Sequence, residues 1–399
     1  MIPAATRLHP LLHPLSPPLS RTVPRTLALL AAMLLAAGTA QAQQNVVTVR
    51  IGHVAPLSGP QANFGKDNEN GARLALDDLN AQNLTIGGKK VRFQLVPEDD
   101  AAEPKQGTAA AQKLCDAKVA GVIGHLNSGT TIPAAKIYNA CGIPQITPSA
   151  TNPALTQAGY RGTFRMLAND DALGAALARH AAQTMKLKRV AIIDDRTAYG
   201  KGVAGVFKKT ALASGMEVVA EQYTNDKATD FMAILTAIKA RKPEAIFFGG
   251  MGPQAGPMLR QMQQLGMSKV TLFGGDGVCT AELPQLASNA RTLANVVCAV
   301  GGASLEKRPE GRAWRQRFEQ RFGHFQLYAA YAYDAAMVLA DAMKRAESID
   351  PKVYGPKIFE TDYTKGVSAS RIQFEPNGEL KNPALTLYVY RDGQRVAIN

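Results

Sequence analysis

Val122-Ile123-Gly124-His125-Leu126-Asn127-Ser128-Gly129-Thr130-Thr131 is followed about twenty residues on by Pro144-Gln145-Ile146-Thr147-Pro148-Ser149-Ala150-Thr151-Asn152-Pro153. In each stretch a short apolar strand runs into Gly and hydroxyl residues and then into a helix start marked by Pro. Such a junction aims unpaired backbone N–H groups, Ser and Thr hydroxyls and the positive end of a helix dipole at one point. That is how a protein holds a small carboxylate without a charged side chain. Two such junctions in one chain point to a binding protein rather than a catalyst.

On both sides of these stretches strands alternate with helices. Strand 46–54, helix 67–80, strand 91–97, helix 105–116, strand 119–123, helix 131–140 and strand 143–146 form a first series. Ala72, Leu74, Ala75, Leu76 and Leu79 give its first helix a buried stripe. Helix 172–185 opens a second series: strand 189–193, helix 201–214, strand 217–223, helix 231–240, strand 245–248, helix 254–265 and strand 270–273. Strand 294–300, helices 310–322 and 326–348, a turn at 374–379 and strand 385–390 complete the chain. The alternation predicts an α/β fold of parallel sheets flanked by helices, and the repeated topology predicts two such units. Ligands of open α/β sheets sit beyond the carboxyl ends of the strands. The loops at 58–65, 127–131, 147–153, 194–200, 249–252 and 274–280 would therefore face each other across a cleft.

The first 42 residues read as a signal peptide. Arg21 and Arg25 precede the apolar run 27–37, and Ala40-Gln41-Ala42 supplies small residues at the cleavage positions, so cleavage is expected after Ala42. The run is short for a membrane span and no Cys follows it to take a lipid, which predicts a protein exported to the periplasm without an anchor of its own. The net charge of +13 falls to +10 without Arg7, Arg21 and Arg25. It is dispersed in mixed-sign helical sets such as Arg312, Arg315, Arg317, Glu319 and Arg321, with no basic run interleaved with aromatics, so a solvated surface is favoured over a nucleic-acid face. Four cysteines suit an oxidising compartment and allow three pairings. The most local pairing joins Cys115 to Cys141 and Cys279 to Cys298, with isolated core thiols as the other reading.

Several enzyme patterns fail on inspection. Gly250, Gly252 and Gly256 imitate a dinucleotide loop, but the spacing is one residue too long and Pro253 and Pro257 interrupt it. The segment 59–67 misses the phosphate-loop spacing and carries Asp67 where Ser or Thr is required. His53, His125, His180 and His324 show no i, i+4 pairing for zinc, and His125 lacks a G-x-S-x-G partner. The doublets Asp77-Asp78, Asp99-Asp100 and Asp194-Asp195 would point different ways, unlike a glycosidase pair. No enzyme, metal or cofactor is therefore expected.

Pro56-Leu57-Ser58-Gly59-Pro60, Phe64-Gly65, Asp99-Asp100, Pro104-Lys105-Gln106, 122–128, 146–151, Tyr199-Gly200 and Gly275-Asp276-Gly277 come in an order and spacing that resembles the leucine/isoleucine/valine-binding proteins, the periplasmic receptors of branched-chain amino-acid ABC transporters. The likeness runs from Val49 to about Tyr390. It implies a type I periplasmic binding protein fold of two Rossmann-like lobes with a three-strand hinge: 43–168 plus 301–378, and 169–300 plus 379–399. It also implies ligand-carboxylate contacts at Ser128 and at Ser149, Ala150 and Thr151, and an ammonium acceptor at Asp276. Lobe-closing aromatics fall on Phe64 and Tyr199, and Met251 stands where the family has a tyrosine. Each assignment has a plain rival: Ser128, Ser149 and Thr151 as helix caps, Asp276 as a turn residue, Phe64 and Tyr199 as core aromatics. Phe64 and Met251 in place of tyrosines, and Asp276 in place of the commoner Glu, leave room for a longer or bulkier ligand. The implied function is capture of leucine, isoleucine, valine or a similar amino acid by a monomer that hands it to an ABC permease. The second reading is a sensor of the same fold that binds an amide, aromatic or organic acid and signals to a partner.

Overall fold

The computed structural model describes residues 46–288 and 293–398, so the expected signal peptide and its cleavage point at Ala42 lie outside the described residues. The strands are β1 (Val47–Ala55), β2 (Thr85–Ile86), β3 (Lys89–Asp99), β4 (Gly121–Gly124), β5 (Gln145–Thr147), β6 (Thr163–Arg165), β7 (Arg189–Asp194), β8 (Glu217–Tyr223), β9 (Ala245–Gly249), β10 (Thr271–Gly274), β11 (Val296–Val300), β12 (Thr386–Arg391) and β13 (Gln394–Ala397). They build two sheets, a six-stranded one in the order β2-β3-β1-β4-β5-β6 and a seven-stranded one in the order β13-β12-β11-β10-β9-β7-β8. Neighbours are parallel except in the pairs β2–β3, β11–β12 and β12–β13. β4, β9 and β11 are buried along their whole length, as strands covered by helices on both faces must be.

The chain passes between the sheets three times: after β6, after β11 and before β12. The passages touch one another through backbone. The Ala168 N–H donates to the Gly301 carbonyl at 2.9 Å, and the Arg165 N–H to that of Gly378 at 3.0 Å. Helix Ala329–Arg345, from the last quarter of the chain, packs against helix Ala62–Ala81 on the first sheet.

Three departures from the sequence reading are local. Helix Ala62–Ala81 starts five residues before 67, and Gly65, which reads as a loop residue, lies in its first turn, where it packs so close to the Pro56 carbonyl that no side chain would fit. β6 is only three residues long and ends in a wholly buried arginine, so no strand periodicity announces it. β13 follows a two-residue turn in which Asp392 and Gly393 both have positive φ, 49° and 75°, the geometry that Asp-Gly favours in a hairpin.

Cys115 pairs with Cys141 and Cys279 with Cys298, across Cα–Cα distances of 6.2 and 5.3 Å. The first pair joins the ends of helices Pro104–Asp116 and Ser128–Cys141, and its Cys141 is exposed. Both members of the second are fully buried. A mild thiol reductant applied to the folded protein should therefore open Cys115–Cys141 first. Alkylation and peptide mass spectrometry will check this, and simultaneous loss of both bridges would contradict it.

Candidate functional site

Ser128 opens helix Ser128–Cys141, and its own N–H and that of Gly129 lie outside the helix ladder. Its Oγ accepts the Asn152 N–H at 3.2 Å, which leaves the hydroxyl proton free to donate elsewhere. The second junction is held by one hydroxyl. Thr147 Oγ1 donates to the His125 carbonyl at 2.8 Å and accepts the N–H groups of Ser149 and Ala150 at 3.3 and 2.9 Å. Arg165, wholly buried at the end of β6, draws the carbonyls of Ala150 and Asn152 to its guanidinium, the latter at 2.9 Å. In a trans peptide the N–H points opposite to the C=O, so the Thr151 N–H is turned away from Arg165. The Thr151 hydroxyl has no hydrogen-bond partner among the described residues.

Asp276, 1% exposed, follows β10. Its Oδ1 accepts the Tyr199 hydroxyl at 2.9 Å and the Gly277 N–H at 3.1 Å, and its Oδ2 accepts the Tyr328 hydroxyl at 3.1 Å. Burial pushes its carboxyl up to about 6, against the pull of those donors. Asp170, also fully buried, is pushed well above the carboxylate range by burial and then by the charge of Asp276. Neither Asp170 oxygen has a hydrogen-bond partner of normal geometry among the described residues, although the nearby Thr151 hydroxyl favours its charged form. The closest cation, Arg165, is engaged by Glu379 at 3.0 Å and by the two carbonyls. One end of the site thus carries donors and the other the buried Asp276, while Asp170 lies behind the donor end, its N–H donating to the Thr151 carbonyl at 2.9 Å.

Leu126, Asn127, Ser128, Ser149, Ala150, Thr151, Tyr199, Met251, Asp276 and Tyr328 surround a space of about 10 Å³. Seven of the eight expected residues are thereby brought together. The eighth, Phe64, does not line this space. It is buried in the first turn of helix Ala62–Ala81, with its ring tip 3.5 Å from where a Cβ on Gly252 would stand. The walls nearly touch, so any ligand larger than a water molecule would have to spread them. Contacts from one sheet's loops to the other's keep them together: Asn152 Nδ2 donates to the Ala198 carbonyl at 2.6 Å, Asn63 to Glu282 at 3.0 Å, and Lys227 pairs with Glu103 at 2.6 Å.

Sequence reasoning overlooks Tyr328 and Asp170. Tyr328 is placed by Asp67, whose buried carboxylate accepts the N–H groups of Gln326, Leu327, Tyr328 and Ala329 at 2.8 to 3.1 Å. Nothing in the spacing of residues 67 and 328 signals that contact. Asp170 starts a helix in the sequence, and only the fold shows it bonded to the Thr151 segment and within reach of the charge of Asp276. His125 sits between Asp100 Oδ2 and Tyr138 Oη, each at 3.0 Å, buried beneath the site rather than in it. Among the described residues no group of three or more His, Cys, Asp or Glu could hold a metal, and no helix is long and apolar enough to cross a membrane.

Two α/β sheets with polar loops meeting between them define a two-lobed ligand receptor, and the comparisons agree. The chain belongs to the periplasmic binding protein family, whose model matches residues 48–394. Within that family it is a relative of the leucine/isoleucine/valine-binding proteins. It is 37% identical over 306 residues to an amino acid binding protein of Pseudomonas aeruginosa, covering 76% of this chain and 80% of that one. It is 32% identical over 363 residues to the Leu/Ile/Val-binding protein BraC3 of Rhizobium johnstonii, covering 91% and 97%. Its fold superposes with a TM-score of 0.79 on the branched-chain amino acid transporter substrate binding protein LivJ of Streptococcus pneumoniae in complex with isoleucine, at 26% identity over 88% of this chain and 98% of that one.

Proposed function

We propose that this protein is a periplasmic solute-binding protein that captures a branched-chain or related amino acid between two lobes and delivers it to an ABC permease, turning nothing over. The lobes comprise 43–168 with 301–378 and 169–300 with 379–399, and the mature chain begins after Ala42. The observation that carries the reading is the polarity of the site: hydroxyl and N–H donors at Ser128 and Thr151 against a buried acid at Asp276. An α-amino acid zwitterion needs that pair of ends, with apolar walls such as Leu126 and Met251 beyond them. Closure around the ligand supplies specificity, since only a molecule that reaches both lobes favours the closed state.

Native mass spectrometry of the freshly purified protein, followed by calorimetry with the amino-acid panel, tests this. A copurified amino acid and a dissociation constant in the micromolar range or below are expected. No affinity for any small amine-bearing acid would end the proposal. Ser128→Ala should weaken binding by only about 1 kcal/mol, because the backbone donors remain. A larger loss would mean that the hydroxyl, not the helix start, holds the carboxylate.

A further inference from the structure

A second cavity, of about 360 Å³, lies where the segment leaving β11 meets the β12–β13 hairpin and helix Ala329–Arg345. Its polar wall is made of donors. The Arg395 guanidinium is spread between the carbonyls of Cys279 and Gln326, at 2.6 and 2.9 Å, and sits 5.8 Å from the Tyr388 ring centre. Among the described residues it faces no carboxylate at ion-pair distance. Tyr331, only 5% exposed, lines the cavity, and neither its hydroxyl nor that of Tyr388 has a hydrogen-bond partner among the described residues. Each hydroxyl therefore keeps its proton to donate to a bound acceptor. The single lining carboxylate, Glu306, is already taken by Arg315. Phe325 and Leu327 give the cavity an apolar wall.

We infer that this cavity is a second ligand site, for a small organic monocarboxylate with an aromatic or aliphatic body. The carboxylate meets Arg395 and the two phenols, and the body lies against Phe325 and Leu327. The site is separate from the amino-acid cleft and does not depend on the function proposed for it. Its walls come from both sheets: Tyr388 and Arg395 belong to the second, and Tyr331 to the helix packed on the first.

The test is 19F NMR and calorimetry with 4-fluorobenzoate on the full chain. One-site binding is expected that persists at saturating leucine and in Asp276→Asn, whose altered group lies in the cleft. The affinity should fall about tenfold or more in Arg395→Gln and about tenfold in Tyr331→Phe, since each change removes a hydrogen bond to an ionised carboxylate. If Arg395→Gln fails to fold, the double variant Tyr331→Phe/Tyr388→Phe decides. Absence of binding, displacement by leucine, or unchanged affinity in the double variant would overturn the site. Should leucine itself not bind, the cleft proposal fails, while the response to the phenylalanine variants still reports on this one.

Discussion

Asp276→Asn should weaken amino-acid binding at neutral pH by about 1–3 kcal/mol or more, roughly five- to 150-fold in dissociation constant. The amide oxygen can still accept from Tyr199 and Gly277 while its NH2 donates to the Tyr328 oxygen, so the fold is retained while the charge that meets an ammonium is lost. The same residue sets a pH dependence. Its carboxyl is raised from 3.8 to about 6 by burial, so its contribution to stability is fully present below about 3.8 and is lost as pH rises through about 6. Above that pH the native protein carries a buried charge met by hydrogen bonds and by no cation, and the asparagine variant, which escapes it, should be the more stable of the two without ligand. An ammonium stabilises the ionised form. Affinity should consequently fall as pH drops below about 6, by up to tenfold per unit, with a proton released on binding. Calorimetry in buffers of different ionisation enthalpy measures that proton. A folded variant with unchanged affinity, or a flat profile between pH 5 and 7, would remove the ammonium assignment.

Arg165→Met should cost about 3–5 kcal/mol of stability, the range for breaking a buried ion pair by removing one partner. Glu379 loses a bidentate partner in a largely buried site, and the Ala150 and Asn152 carbonyls lose their donor. Because that donor turns the Thr151 N–H away from Arg165, the loss extends to ligand affinity. The double variant Arg165→Met/Glu379→Leu should recover part of the stability and none of the affinity. Urea unfolding and calorimetry separate the two effects, and a single-variant loss under about 1 kcal/mol would show that the pair is not structural.

The fold was readable because both sheets are built from repeated strand–helix units with strong apolar strands such as β4, β9 and β11, and because Gly, Ser, Thr and Pro cluster at their carboxyl ends. The loops that reach the cleft were readable for the same reason: Ser128, Thr151, Tyr199 and Asp276 each lie a few residues beyond the carboxyl end of a strand. What stayed hidden depends on contacts between residues far apart in the chain. Tyr328 reaches Asp276 only through the cap supplied by Asp67, and Asp170 feels the charge of Asp276 only when the first passage between the sheets brings it behind Thr151. Phe64 has the right neighbours in sequence, yet the helix begins before it and turns its ring onto Gly252. Periodicity carries no information about such pairings.

The Asp67 cap has a kinetic side. Four amide groups at the start of helix Ala329–Arg345 are gathered by a carboxylate some 260 positions earlier, so the first sheet cannot be covered until nearly the whole polypeptide has been made. Contacts of that span form late and slow folding. A nascent chain lacking its final quarter would stay loose, and truncation after Val300 should yield a product that protease digests rapidly instead of a stable half-molecule.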